Sequence, residues 1–215
     1  MPQFIVLREF PPGLSQSEGE ANIARGITGS VHFPFVRWHG TYGVSTPERI
    51  HGFCVFDAPS FEAMAEHAHY CRVPFTEIRE VDEVDPRTFP TAGIEVPAYG
   101  SLFLIERRMD PALNDDELEA LSFRSANCLN GFPGLGWELS YWDAERRVSR
   151  CIFRSPAPAL IQEHASRVRV PCDSIEEVTF VDPADWGWLY DVFGLPKHWE
   201  AGATLGGPRF PMGND

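Results

Sequence analysis

The sequence predicts an α+β fold made of two βαββαβ units. Three observations carry that reading: an internal repeat, a helix-start signature at the same place in each copy, and β-rich runs bounded by turn residues in the same order. Phe4-Ile5-Val6-Leu7-Arg8 lines up with Phe103-Leu104-Ile105-Glu106-Arg107. The same spacing of 99 residues carries Leu14 to Leu113, Glu18 to Glu117, Arg25 to Arg124 and Trp38 to Trp137. Beyond the tryptophans the spacing becomes 97, and Cys54-Val55-Phe56 falls on Cys151-Ile152-Phe153. It then holds through His67 and His164, Pro74 and Pro171, and Asp85-Pro86 and Asp182-Pro183. The two-residue difference falls near Gly43-Val44-Ser45-Thr46-Pro47-Glu48, a turn-rich stretch where a change of length does least harm.

Each copy opens with a β-rich run, at 3–9 and 101–108. Helices follow at 15–29 and 114–129. Ser15 with Glu18, and Asn114 with Glu117, stand at capping-box spacing. Two strands come next, at 34–43 and 50–57 in the first copy and at 135–142 and 147–154 in the second. Asp143-Ala144-Glu145-Arg146 reads as a hairpin loop. A second helix begins after Pro59-Ser60 and after Pro156-Ala157, and a last strand runs through Ile78–Val81 and Ile175–Val178. This order is the ferredoxin-like arrangement, with one sheet face covered by two helices and the other bare. Two copies on one chain can cover each other's bare faces. The expectation is two ferredoxin-like repeats packed sheet to sheet as an intramolecular α+β barrel-like pseudo-dimer.

The units are expected at 1–86 and 101–183. A Pro- and Gly-punctuated linker joins them at 87–100, and a tail at 184–215 packs its aromatics on the body and frays at its end. The chain has 215 residues, 43% of them hydrophobic, which is enough for a core. A net charge of −13 repels phosphate backbones and anionic lipid, so neither nucleic acid nor membrane is an expected partner. No apolar run is long enough to span a bilayer, and the start lacks a secretory pattern, so a cytoplasmic, bacterial-type protein is the expectation. Five cysteines without a CxxC pair argue for reduced thiols rather than a disulfide framework. The chain contains no GxGxxG, P-loop, HExxH or GxSxG, so no nucleotide cofactor is expected.

The candidate chemistry centres on Glu66-His67-Ala68-His69-Tyr70-Cys71. On a helix, His67 and Cys71 share a face, and an imidazole and a thiolate at that spacing can hold nickel, zinc or copper, while His69 points elsewhere. The second copy keeps His164 but has Val168 where Cys71 stands. The bland alternative makes His67 and His164 packing residues with locally satisfied rings. Trp38, Trp137, Arg8 and Arg107 are candidates for the wall of a cavity between the sheets. Inward-facing arginines need anionic partners, with Glu80 and Glu177 available, unless all four face solvent. Cys54 and Cys151 read as small buried hydrophobes. His39 and His51 flank the first hairpin and could form a two-histidine site across it.

The strings Phe53-Cys54-Val55-Phe56-Asp57-Ala58-Pro59 and Cys151-Ile152-Phe153-Arg154-Ser155-Pro156 carry a resemblance. Each is followed by a helix histidine and a strand ending in Glu-Val. The chain resembles a family of short bacterial proteins typified by a nickel-binding, dimeric protein of ferredoxin-like fold. The resemblance implies that one chain replaces the family's homodimer. It also implies a metal-binding protein of carrier, buffer or sensor kind, with Ni2+ or another divalent transition metal as cofactor. The ligands would be His67 and Cys71, with His164 or His69 as a further donor. The competing expectation, by analogy of fold, is a small-molecule enzyme of monooxygenase, isomerase or cyclase type acting in a cavity between the repeats. A further homodimer through edge strands stays open.

Overall fold

The structure is a computed structural model, and it describes residues 1–89 and 99–201. The first half runs β1 (Gln3–Phe10), α1 (Gln16–Gly29), β2 (Arg37–Ser45), β3 (Ile50–Asp57), α2 (Phe61–Cys71) and β4 (Glu77–Val84). The second half repeats the order with β5 (Ser101–Arg108), α3 (Asp115–Cys128), β6 (Gly136–Asp143), β7 (Val148–Ser155), α4 (Pro158–Val168) and β8 (Ser174–Val181). Both capping boxes form. Ser15 accepts from the backbone N–H of Glu18 and Asn114 from that of Glu117, while each glutamate reaches back to the cap.

The two sheets do more than face each other. All eight strands join in a closed barrel of order β1-β3-β2-β8-β5-β7-β6-β4, with β4 returning to β1. The seams between the halves are the antiparallel pairs β2–β8 and β4–β6. Closure leaves none of these eight strands with a free edge, so the edge-strand route to a homodimer that the sequence left open is absent among the described residues.

Alternation along the strands divides the side chains between two environments. Ile5, Tyr42, Phe53, Val55 and Val81 of the first half meet Leu104, Leu139, Tyr141, Ile152 and Val178 of the second inside the barrel. This interior is packed, one of the two outcomes open to an eight-stranded barrel, which is wide enough either to be filled by side chains or to hold one small ligand. A cavity between the repeats is therefore not what this barrel provides. The opposite face of each half-sheet packs under its own two helices. Phe4, Val6, Trp38, Cys54 and Phe56 lie with Ile27, Met64 and Ala68 in one layer, and Phe103, Ile105, Trp137, Cys151 and Phe153 lie with Ala126 and Ile161 in the other.

Each half-sheet carries a bulge, between Trp38 and Gly40 and between Trp137 and Leu139. The extra residue turns Trp38 and Thr41 to the same face, so both lie under α1. Gly40 is required there. Its φ is +143°, and a Cβ would stand 2.3 Å from the Phe180 ring.

The tail packs on the first half. A 3-10 turn at Pro183–Trp186 leads into α5 (Gly187–Phe193), which places Leu189 and Tyr190 in the first helix-side core beside Trp186, Leu195 and Trp199. The segment after β4 makes the reciprocal contact, with Phe89 stacked on Trp137 at 6.3 Å. The remainder of the expected linker and the expected frayed end lie outside the described residues. No helix is long and apolar enough to cross a membrane among those residues.

Candidate functional site

A pocket of about 120 Å³ with the character of a site lies between α1 and the outer face of the first half-sheet. Ile23, Ile27, Phe56, Val73 and Val181 form apolar walls, and Arg8, Phe10, Leu14 and Asn22 stand half-buried around it. Val181 comes from β8, so the second half completes the wall across the β2–β8 seam.

A chain of hydrogen bonds crosses its floor. Trp38 Nε1 donates to Thr41 Oγ1 at 3.1 Å, and Thr41 Oγ1 donates to Cys54 Sγ at 3.0 Å. Arg8 Nε donates to the same sulfur at 3.0 Å. Arg8 Nη1 donates to the carbonyls of Val73 at 3.1 Å and Pro74 at 2.9 Å. The arginine is thus fixed by carbonyls and a sulfur rather than by a carboxylate. The expected partner Glu80 is out of reach because the β1–β4 register sets it opposite Phe4, four residues from Arg8. Glu177 likewise lies opposite Phe103, and Arg107 Nη1 donates instead to the Pro171 carbonyl at 2.5 Å.

The second half carries corresponding polar residues at the same places, with Ser140 where Thr41 stands. Trp137 Nε1 donates to Ser140 Oγ at 2.9 Å, and Arg107 and Cys151 stand where Arg8 and Cys54 do. Its pocket has shrunk to about 20 Å³. By the sequence offset, Gly19 becomes Leu118, Asn22 becomes Leu121, Gly26 becomes Ser125 and Gly43 becomes Trp142. Leu118, Leu121 and Trp142 pack with Met109 and Val168 into a cluster that fills this space. In the first half, a Cβ built on Gly19, Gly26 or Gly43 would meet nothing within 4 Å.

The four proposed metal ligands are not brought together. His67 and Cys71 are close, with Nε2 and Sγ 3.4 Å apart, and both are buried. His69 is exposed, bonds the Ala65 carbonyl through Nδ1 at 2.8 Å, and packs on Phe75. His164 lies in the other half, where its Nε2 meets the Ser125 carbonyl at 3.0 Å. His67 makes the corresponding bond to the Gly26 carbonyl. Each histidine therefore ties its half's second helix to the first. Burial pushes both imidazoles down to about 4, with nearby Arg8 or Arg107 acting in the same direction and the carbonyl bond opposing. Burial also pushes the Cys71 thiol up to about 11.

These donors do not fit a nickel site. His67 Nε2 faces the Cys71 sulfur at 3.4 Å, burial raises the thiol's pKa and so disfavours the thiolate a metal needs, and no third His, Cys, Asp or Glu joins the pair among the described residues. No group of three or more His, Cys, Asp or Glu side chains able to hold a metal is found among the described residues. The two hairpin histidines also stay apart. His39 Nε2 lies 2.8 Å from Asp57 Oδ2 and His51 Nε2 3.1 Å from Glu176 Oε2.

Of the cavity candidates, Arg8 and Trp38 line the open pocket, and Arg107 and Trp137 line the filled one. Thr41, Cys54, Asn22 and the α1 glycines were missed as site residues. The signal was available in the repeat itself, in positions where one copy has glycine and the other a large side chain.

Fold and site together define an α+β barrel with a lateral pocket open in one half and filled in the other. Residues 103–178 match the model of the family described as "Nickel responsive protein SCO4226-like". No curated protein matches the chain. Among solved structures, the chain is similar to chlorite dismutase from Candidatus Nitrospira defluvii in complex with imidazole. The identity is 9%, over 89% of this chain and 94% of that one, with a TM-score of 0.46. It is also similar to a heme-binding protein from Thermus thermophilus, at 10% identity over 88% and 96% of the two chains and a TM-score of 0.45. An anthrone oxidase-like protein gives 13% identity over 83% and 90%, with a TM-score of 0.43.

Proposed function

We propose that the protein binds a small organic molecule in the lateral pocket of its first half, with the second half acting as a filled scaffold that completes the wall. The observation that supports this most is the one-sided emptying of the pocket. Corresponding polar residues stand in both halves, but only the half with Gly19 and Gly26 lining its pocket has room above them. Gly19 and Gly26 lie in the interior of α1, where each costs roughly 0.5–1 kcal/mol relative to alanine. A helix that only packed against its sheet would gain from filling those positions, as α3 does with Leu118.

The family matched by the second half is described as nickel responsive, and that description motivates a nickel arm in the test. Thermal unfolding of tag-free protein is followed against a panel of single-ring compounds and against nickel, with Gly26→Leu as the pocket-filling variant. The expected result is a rise in Tm with some ring compounds that is lost in Gly26→Leu. Equal responses in the two proteins would remove the pocket from consideration. Near-stoichiometric nickel lost in His67→Gln or Cys71→Ala would replace this reading with a metal-binding one.

A further inference from the structure

We infer that the ligand of this pocket is an organic acid with an apolar body about the size of one six-membered ring, whose carboxylate pairs with the free edge of Arg8. The inference rests on the small-molecule reading above and adds the chemical class.

Arg8 is the one charged side chain lining the pocket. Its Nε and Nη1 are occupied by Cys54, Val73 and Pro74, which hold the guanidinium in place without neutralising it. No ion pair involves Arg8 among the described residues, and its Nη2 edge has no protein partner there. A fixed, half-buried guanidinium with an open edge is the donor geometry that recognises a carboxylate, through charge-assisted bonds about twice as strong as neutral ones. Asn22 adds a second donor. Its Oδ1 accepts from Arg25, which leaves the amide Nδ2 available beside the pocket.

The rest of the pocket selects against polarity. The Trp38 N–H is consumed by Thr41, and the Thr41 hydroxyl is consumed by Cys54. The floor therefore offers a substituent on the ligand no free N–H or hydroxyl donor. Ile23, Ile27 and Phe56 provide only apolar surface. The volume of about 120 Å³ compares with the roughly 150 Å³ of an apolar cavity that takes benzene. A ring fits once its carboxylate projects toward Arg8.

The test is calorimetric titration of the full chain near pH 7 with benzoate, benzamide and benzylamine, repeated on Arg8→Gln, Arg8→Lys and Gly26→Leu. These three probes share a ring and differ in charge. Benzoate is expected to bind wild type at least about tenfold more tightly than either of the others. Arg8→Gln should remove that preference while leaving benzamide within about threefold, Arg8→Lys should keep part of it, and Gly26→Leu should abolish all binding. Benzamide or benzylamine binding as tightly as benzoate, with loss in Gly26→Leu, overturns the acid class and leaves the pocket reading standing. No binding of any probe to wild type, or binding indifferent to Gly26→Leu, overturns both. The wild-type comparison does not depend on how well any variant folds.

Discussion

Gly43 in β2 and Trp142 in β6 hold the same position on the helix-facing side of their half-sheets, and only Trp142 sends a side chain into the helix-side space of its half, where it lines the filled pocket. Trp142 is buried against Met109, Leu118, Leu121 and Val168, so its truncation leaves a void in a packed cluster. Trp142→Ala should destabilise the protein by about 3–5 kcal/mol, read from urea unfolding. Gly43→Trp enters open space and should keep the fold while removing the ligand-induced rise in Tm. A Trp142→Ala variant with wild-type stability would show that the second half is not sealed by this ring.

The glycines of α1 set stability against space. Gly26 has ordinary helical backbone, and a methyl group added to it would meet nothing within 4 Å, so Gly26→Ala gains helix propensity without a clash. It should raise stability by roughly 0.5–1 kcal/mol. The same methyl narrows the pocket, so ligand affinity should fall as stability rises. Paired urea melts and titrations measure both, and a variant that gains in both would separate the glycine from the pocket.

His67 and His164 make the protein sensitive to acid. Both are almost wholly buried, at 1% and 0% exposure, and each titrates at about 4 in the folded chain against roughly 6.5 unfolded. Burial favours the neutral ring, so its contribution is fully present above about pH 6.5. It is lost as pH falls from there through about 4, where the folded protein also takes up the proton. Each ring should cost on the order of 3 kcal/mol across that window. Urea midpoints near pH 7 and near pH 4.5 measure the loss. His67→Gln should start lower and fall less. An unchanged slope would assign the acid sensitivity to other groups.

The fold was legible because its signals are local and doubled. Ser15 and Asn114 cap where their spacing to Glu18 and Glu117 says they should, and β3 begins and ends at the residues expected. Barrel closure was harder to read, because pairing of Thr41 with Val181 and of Val81 with Asp143 joins strands distant in sequence. The site was half legible. Arg8 and Trp38 stood out by residue type, but their cavity was expected on the wrong face of the sheet. Which face a strand residue serves depends on the bulge at Trp38–Gly40, which moves Thr41 into line with Trp38. His67 and Cys71 drew notice by spacing, yet helical spacing shows only that two side chains are neighbours. What they face is set by Phe33, Phe56 and the Gly26 carbonyl, none of which their own helix specifies.

Gly29, the last residue of α1, decides whether Cys71 acts as a packing group. A Cβ there would stand 2.3 Å from Cys71 Sγ and 3.3 Å from His67 Nε2, so the two helices touch through a thiol set against bare backbone. Gly29→Ala must displace that sulfur, and overpacking of this kind costs about 1–3 kcal/mol. Cys71→Ala removes the obstacle. In the double variant the glycine substitution should be nearly neutral, leaving a coupling of about 1–2 kcal/mol in a double-mutant cycle. The cycle is run with and without nickel. A packing thiol gives the same coupling in both, because its partner is the backbone of α1. A coupling that grows with nickel would instead make Cys71 a ligand, and would show that the pair recruits a donor beyond the described residues.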